Sequence, residues 1–119
     1  MTATSTSHEI TIEFHKSPVS DADRIRALET PGFGKVFTDH MVTIRWTQDR
    51  GWHDAEVRAR APIALDPAAA VLHYGQEIFE GLKAYNFGNG SIALFRPEQN
   101  ARRFQASAVR MSMPELPET

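Results

Sequence analysis

Two alternating runs of residues on either side of a short turn place the strongest constraint on the fold of this chain. In residues 41–47, Val, Ile and Trp alternate with Met, Thr, Arg and Thr, and in residues 53–61 small apolar residues alternate with charged ones. Alternation with a period of two is typical of a half-buried β-strand. The connection at residues 48–51 is polar and ends in glycine, so the two runs predict an antiparallel hairpin.

Further strands are predicted on both sides of this hairpin. Residues 10–14 alternate isoleucine and phenylalanine with polar residues, which indicates a short strand with one wet face. Residues 82–87 and 92–95 also have strand character, and the Phe-Gly-Asn-Gly-Ser sequence at 87–91 is a strong turn signal. Because neighbouring strands connect mainly as hairpins, antiparallel pairing should dominate.

The clearest helix is predicted after Arg96, where proline and glutamate suit a helical first turn. It carries one apolar stripe with helical spacing and is followed by two prolines that end it. The stripe consists of Ala101, Phe104, Ala108 and Met111, and the prolines are Pro114 and Pro117.

Two shorter helices are predicted earlier in the chain. One covers residues 21–28, with Ile25 and Leu28 facing inward, and the other covers residues 67–72, with Asp66 as its N-cap. Together with the strands, these elements predict the α+β class: a mostly antiparallel sheet with helices on one face.

Composition points to an ordinary soluble domain. The chain has 119 residues, is 41% hydrophobic and 24% charged, and carries a net charge of −2, so nothing in its charge indicates nucleic acid or an anionic membrane as a partner. It has no cysteine, which excludes disulfides and thiolate metal sites. Residues 1–8 are polar and expected to be disordered. Without a secretory signal or a long apolar run, the expected location is the cytoplasm.

Arginine is the first candidate for chemistry. The last predicted helix is the one clearly basic segment, and Arg103 on it borders the apolar stripe at Phe104. A phosphate dianion needs a planar, permanently charged partner with several donors, which arginine provides. Spacing alone, however, favours the simpler interpretation that these arginines form a solvated helix face.

Other candidates lie between His73 and Lys83. Lys83 could form an imine, or it could be a strand lysine that faces water or pairs with Glu80. Glu77 and Glu80 could act as an acid–base pair, but local salt bridges or helix-end contacts are the simpler interpretation. The five histidines have no metal-ligand spacing, so no metal site is expected.

Three aromatic residues are candidates for an apolar pocket. Phe33, Tyr74 and Phe79 each lie within two residues of a glycine. From the residues alone, an ordinary core position is the more common role for aromatics of this kind.

Several segments, in order, resemble the branched-chain amino acid aminotransferases, pyridoxal-phosphate enzymes of the D-amino-acid-aminotransferase fold type. The core signature is His73-Tyr74-Gly75 with Phe79-Glu80-Gly81-Leu82-Lys83-Ala84. Four further segments match family markers: Gly32-Phe33-Gly34-Lys35 with Phe37-Thr38-Asp39-His40-Met41, Gly51-Trp52-His53, Leu65-Asp66-Pro67, and Ser107-Ala108 to Pro117.

The resemblance implies roles for individual residues. Arg103, twenty residues after Lys83 and shortly before Ser107-Ala108, matches the arginine that binds the phosphate of pyridoxal 5'-phosphate. Phe33, Tyr74 and Phe79 match positions that bound the pocket for the branched side chain. Lys83 matches a structural or site-lining lysine, because the aldimine lysine of the family lies much later, beyond Thr119.

The resemblance also implies an organisation for the whole chain. Residues 1–30 would be a tail and extension, and residues 31–119 an incomplete small N-terminal domain, unable to transaminate alone. The full-length enzyme would be a homodimer acting on leucine, isoleucine or valine with 2-oxoglutarate. Two alternatives remain open: another enzyme of the fold type, such as an aminodeoxychorismate lyase, or a truncated, non-catalytic binding domain.

Overall fold

The computed structural model describes residues 9–118. The chain divides between Ile63 and Ala64 into two compact units. The prediction that residues 1–8 are disordered lies outside the described residues.

The first unit contains a three-stranded sheet. The predicted hairpin is confirmed, because β2 and β3 pair antiparallel, but β1 pairs with β3 in parallel. The sheet is therefore mixed, with the order β1-β3-β2. Antiparallel pairing still dominates among the described strands, as predicted, and β1 is the exception. The elements of this unit are β1 (Thr11–Ile12), α1 (Asp21–Glu29), β2 (His40–Thr47) and β3 (Gly51–Ala59).

A β-bulge interrupts the alternation of β3. Thr43 pairs with Glu56 and Arg45 with His53, so β3 carries one more residue than β2 across this step. Asp54, within the bulge, has a φ of 50°, a left-handed conformation that asparagine and aspartate tolerate better than most residues. The bulge therefore shifts the alternation that the sequence predicts through residues 53–61.

Helix α1 forms where it was predicted, but not for the predicted reason. The Ser20 hydroxyl accepts a hydrogen bond from the backbone N–H of Asp23 at 3.2 Å, which caps the helix. The expectation that Ile25 and Leu28 face inward is wrong, since the helix buries none of its residues. The cap and two ion pairs between residues three apart along the helix are its local support.

The second unit contains a hairpin and two helices. Strands β4 and β5 pair antiparallel around the predicted turn. Helix α2 starts later than predicted: Ala69 is its N-cap, while Asp66 accepts a hydrogen bond from the N–H of Ala68 in the preceding turn. The elements are α2 (Ala70–Tyr74), β4 (Ala84–Asn86), β5 (Ile92–Leu94) and α3 (Pro97–Arg110).

The long helix α3 confirms the predicted stripe. Ala108 is fully buried, and the other three stripe residues are half-buried. The helix ends before the prolines, at a Schellman motif in which the N–H of Met113 donates to the carbonyl of Ala108 at 2.8 Å. Ser112 occupies the left-handed position of this motif with a φ of 53°.

We expect Ser112→Gly to raise the free energy of unfolding by about 1 kcal/mol, because glycine adopts positive φ without the cost that serine bears. Urea denaturation of the full-length protein would measure the change. Ser107→Gly is the matched control, since glycine inside a helix should lower stability by roughly 0.5–1 kcal/mol. A decrease in stability for Ser112→Gly would contradict the prediction.

Burial is sparse in both units. Among the described residues, the apolar residues classed as buried are Ala55 and Ala108, while many large apolar side chains are exposed. The α+β class is confirmed, although the strands form two small sheets instead of one. Within residues 9–118, no helix has the length and apolar character needed to cross a membrane.

Candidate functional site

Arg103 lies in the middle of α3 and binds Glu80 through one edge of its guanidinium. Its Nε donates to Oε2 of Glu80 at 3.0 Å, and its Nη2 donates to Oε1 at 2.7 Å. The arginine side chain is 60% exposed, whereas the glutamate side chain is only 20% exposed. A paired bond of this kind fixes the plane of the guanidinium.

Glu80 is in turn fixed by its surroundings. Its Oε1 also accepts hydrogen bonds from Nδ2 of Asn100 at 3.0 Å and from the backbone N–H of Gly81 at 3.2 Å. Asn100 bridges the same segment by donating to the carbonyl of Gly81 at 2.7 Å. Glu80 therefore forms a salt bridge, as the simpler interpretation expected, but with a partner 23 residues away and not with a local one.

The pairing stabilises the charged form of both side chains. The hydrogen bonds and charge of Arg103 hold the pKa of Glu80 below its ordinary value, and the hydrogen bonds and charge of Glu80 raise the pKa of Arg103. A carboxyl whose pKa is lowered by folding contributes stability above the pKa of the unfolded chain and loses it as the pH falls through the lowered value. The pair is consequently charged at neutral pH.

An open cavity of about 540 Å³ adjoins Arg103, and we call it the basic cavity. Three cationic side chains reach it, and two of them lie near aromatic rings: Nζ of Lys83 is 5.2 Å from the ring centre of Tyr85, and Cζ of Arg96 is 5.8 Å from that of Phe95. Such a donor set suits an anionic group. The basic cavity is lined by Gly81, Leu82, Lys83, Tyr85, Phe95, Arg96, Gln99, Asn100 and Arg103.

Lys83 does not pair with Glu80, which was one of the alternatives that the sequence left open for it. Among the described residues Glu80 forms its salt bridge with Arg103, and Lys83 lies over Tyr85. The lysine and Arg103 both line the basic cavity.

Phe79 lies with Arg103 on a second open cavity of about 520 Å³. Ile78, Ala106 and Met111 give part of this wall an apolar character. The structure thus places an aromatic and a phosphate-binding candidate on the same cavity.

Tyr74 and Phe33 lie elsewhere. Tyr74 lines a different open cavity, of about 410 Å³, next to Met111 and Ser112. Phe33 belongs to the first unit and stands between Gly32 and Gly34, whose φ values are 61° and 68°. The interpretation of the three aromatics as ordinary core residues is wrong for the described chain, since Phe33 is fully exposed and Tyr74 and Phe79 are 86% and 89% exposed.

Sequence reasoning missed the role of Asn100. It precedes Arg103 by three residues, so the two side chains share a face of α3, and this spacing was the available signal. The pairing with Glu80 could not be read from the sequence, because 23 residues separate Glu80 from Arg103. In the part of the chain that the structure describes, no three histidine or acidic side chains gather as metal ligands do.

Comparison with known proteins supplies close relatives. No protein-family model matches the chain. It is 62% identical over 109 residues to a "Probable branched-chain-amino-acid aminotransferase" of Streptomyces coelicolor, covering 90% of this chain and 30% of that protein. It is 59% identical over 110 residues to a "Branched-chain-amino-acid aminotransferase" of Mycolicibacterium smegmatis, covering 92% and 30%.

A more distant relative gives the same result over a shorter stretch. The "Branched-chain-amino-acid transaminase 1" of Bacillus subtilis is 49% identical over 87 residues, which cover 73% of this chain and 24% of that protein. The chain therefore spans about 30% of the length of the first two curated relatives it matches.

Proposed function

We propose that this chain is part of a pyridoxal-phosphate-dependent transaminase. It belongs to the branched-chain amino acid aminotransferase family and matches the N-terminal portion of its members. The full-length enzyme would transfer the amino group of leucine, isoleucine or valine to 2-oxoglutarate, and would also run the reverse reaction. Pyridoxal 5'-phosphate, when bound, acts as the electron sink for that transfer. The residues described here would bind and orient it.

The pairing of Arg103 carries this proposal. A guanidinium has five N–H donors in a plane, and Glu80 takes only the edge formed by Nε and Nη2. Among the described residues no further acceptor pairs with the remaining donors. Arg103 can therefore bind a phosphate without giving up its salt bridge, and Lys83 and Arg96 add positive charge along the basic cavity.

The exposed aromatic residues fit the second part of the proposal. We assign Tyr74 and Phe79, which both belong to the second unit, to the pocket for the branched side chain and Lys83 to the lining of the site. An apolar pocket separates substrates that differ by one methylene by only about 1–3 kcal/mol. We therefore expect all three branched-chain amino acids to be used.

The wider organisation belongs to the same proposal. Residues 1–30 would be an extension and residues 31–119 part of the small domain of the D-amino-acid-aminotransferase fold type. The full-length protein would be a cytoplasmic homodimer. Its exposed apolar side chains would then be covered by the remainder of the enzyme.

An amino-transfer assay on the full-length protein tests the proposal. We expect turnover of leucine, isoleucine and valine with 2-oxoglutarate, dependent on added pyridoxal 5'-phosphate. Aminodeoxychorismate is the comparison substrate, since a lyase of the same fold type would release pyruvate from it. Pyruvate release without any turnover of the three amino acids would contradict the proposal and favour the lyase.

A further inference from the structure

We propose that Glu80 is a positioning residue for the cofactor phosphate: it holds the Nε–Nη2 edge of the Arg103 guanidinium so that the adjacent Nη1–Nη2 edge faces the anion. This inference rests on the proposed function, and it assigns a binding role to a carboxylate that otherwise only forms a salt bridge. The observation behind it is the difference in exposure within the pair, with Arg103 60% and Glu80 20% exposed.

The geometry of the pair leaves a phosphate-binding edge available. Glu80 binds side-on, through Nε at 3.0 Å and Nη2 at 2.7 Å. This uses two of the five N–H donors and leaves both donors of Nη1 and one of Nη2. Two adjacent nitrogens with parallel N–H bonds are the arrangement that binds two oxygens of a phosphate.

Glu80, the anchor of Arg103, is itself held in place before any ligand binds. Oε1 of Glu80 accepts from Asn100 at 3.0 Å and from the N–H of Gly81 at 3.2 Å, in addition to Arg103. An arginine that is already ordered loses less rotamer freedom on binding, and for one long side chain this is worth between about twofold and tenfold in affinity. Glu80 therefore favours phosphate binding by preorganising Arg103.

Electrostatic repulsion between Glu80 and the phosphate would have the opposite effect on binding. As a nearby negative charge, Glu80 also repels a phosphate dianion, and a unit charge at roughly 7 Å in water-like surroundings changes affinity by about threefold per ligand charge. If repulsion or competition for Arg103 dominated, removal of the carboxylate charge would tighten binding. The sign of the change thus separates positioning from repulsion.

The test uses Glu80→Gln in the full-length protein, freed of cofactor, with pyridoxal 5'-phosphate and pyridoxal as the two probes. Glutamine places an amide NH₂ where one carboxylate oxygen accepted, so the pair of hydrogen bonds from Arg103 is lost. If preorganisation dominates, we expect the affinity for pyridoxal 5'-phosphate to fall by up to about tenfold and the affinity for pyridoxal, which lacks the phosphate, to stay unchanged. General unfolding would weaken both.

Glu77→Gln is the matched control for charge. Glu77 lies with Arg103 on the second cavity, and no described side chain pairs with it, so this variant changes the net charge equally without touching the anchor. We expect it to bind pyridoxal 5'-phosphate at least as tightly as the wild type. Asn100→Ala is the second variant, because it removes one donor to Glu80, and its phosphate-specific loss should be smaller but of the same sign.

The outcomes separate this inference from the proposed function. Unchanged or tighter binding of pyridoxal 5'-phosphate by Glu80→Gln, with a large loss in Arg103→Ala, would overturn the positioning role alone. The absence of a phosphate-specific loss in Arg103→Ala would overturn both. A loss in Glu80→Gln that is restricted to the phosphorylated probe, with Glu77→Gln unaffected, would support the inference.

Discussion

Arg103→Ala in the full-length protein is expected to weaken the binding of pyridoxal 5'-phosphate by a factor on the order of 100 or more. Each hydrogen bond to a charged group contributes about 1.5–3 kcal/mol, and the free edge of Arg103 can make two of them. The substitution also leaves Glu80 without its cationic partner at 2.7 Å, so that an uncompensated carboxylate remains close to the phosphate.

Fluorescence titration of the cofactor-free protein would measure this loss, and Arg102→Ala is the matched control. Arg102 is the neighbouring residue on α3, has a 63% exposed side chain, and lies 4.0 Å from Glu118. It carries the same charge but does not line the basic cavity. Equal losses for the two variants would show a general charge effect and contradict the assignment of Arg103.

Residues 1–119, prepared alone, are expected to lack a cooperative unfolding transition and to aggregate. Ordering a residue costs roughly 1–2 kcal/mol in backbone entropy, and full burial of a large apolar side chain returns about 1.5–3 kcal/mol. In the described chain the apolar residues classed as buried are both alanines, while Phe14, Phe79 and Phe95 are among the exposed large side chains. The apolar burial seen here is too small to offset the ordering cost.

Urea titration followed by near-ultraviolet circular dichroism, together with light scattering, would test this expectation. The full-length protein under identical conditions is the control, and it should show a sharp transition and no aggregation. A monomeric, two-state transition for residues 1–119 alone would contradict the prediction. It would instead support the alternative of a self-contained binding domain.

The elements that the sequence determined are those with local causes. The first hairpin follows from two alternating runs on either side of a glycine-containing turn. The second follows from two runs of strand character around a strong turn signal, and both hairpins form at the predicted places. Helix α3 follows from its proline-led first turn and its apolar stripe, and Ala108 of that stripe is fully buried. In each case the residues that determine the element are close together in the sequence, so their spacing alone predicts which side chains lie on the same face.

Only the tertiary structure decided what depends on residues far apart. The parallel pairing of Thr11 with Glu56 and the bond between Glu80 and Arg103 join segments whose separation carries no periodic signal. The exposure of Ile25 and Leu28 could not be predicted from the sequence either. An apolar residue in a helix indicates a side chain that could be buried, but not whether a partner surface is present. Burial and long-range ion pairs are properties of the assembled packing, and local patterns cannot encode them.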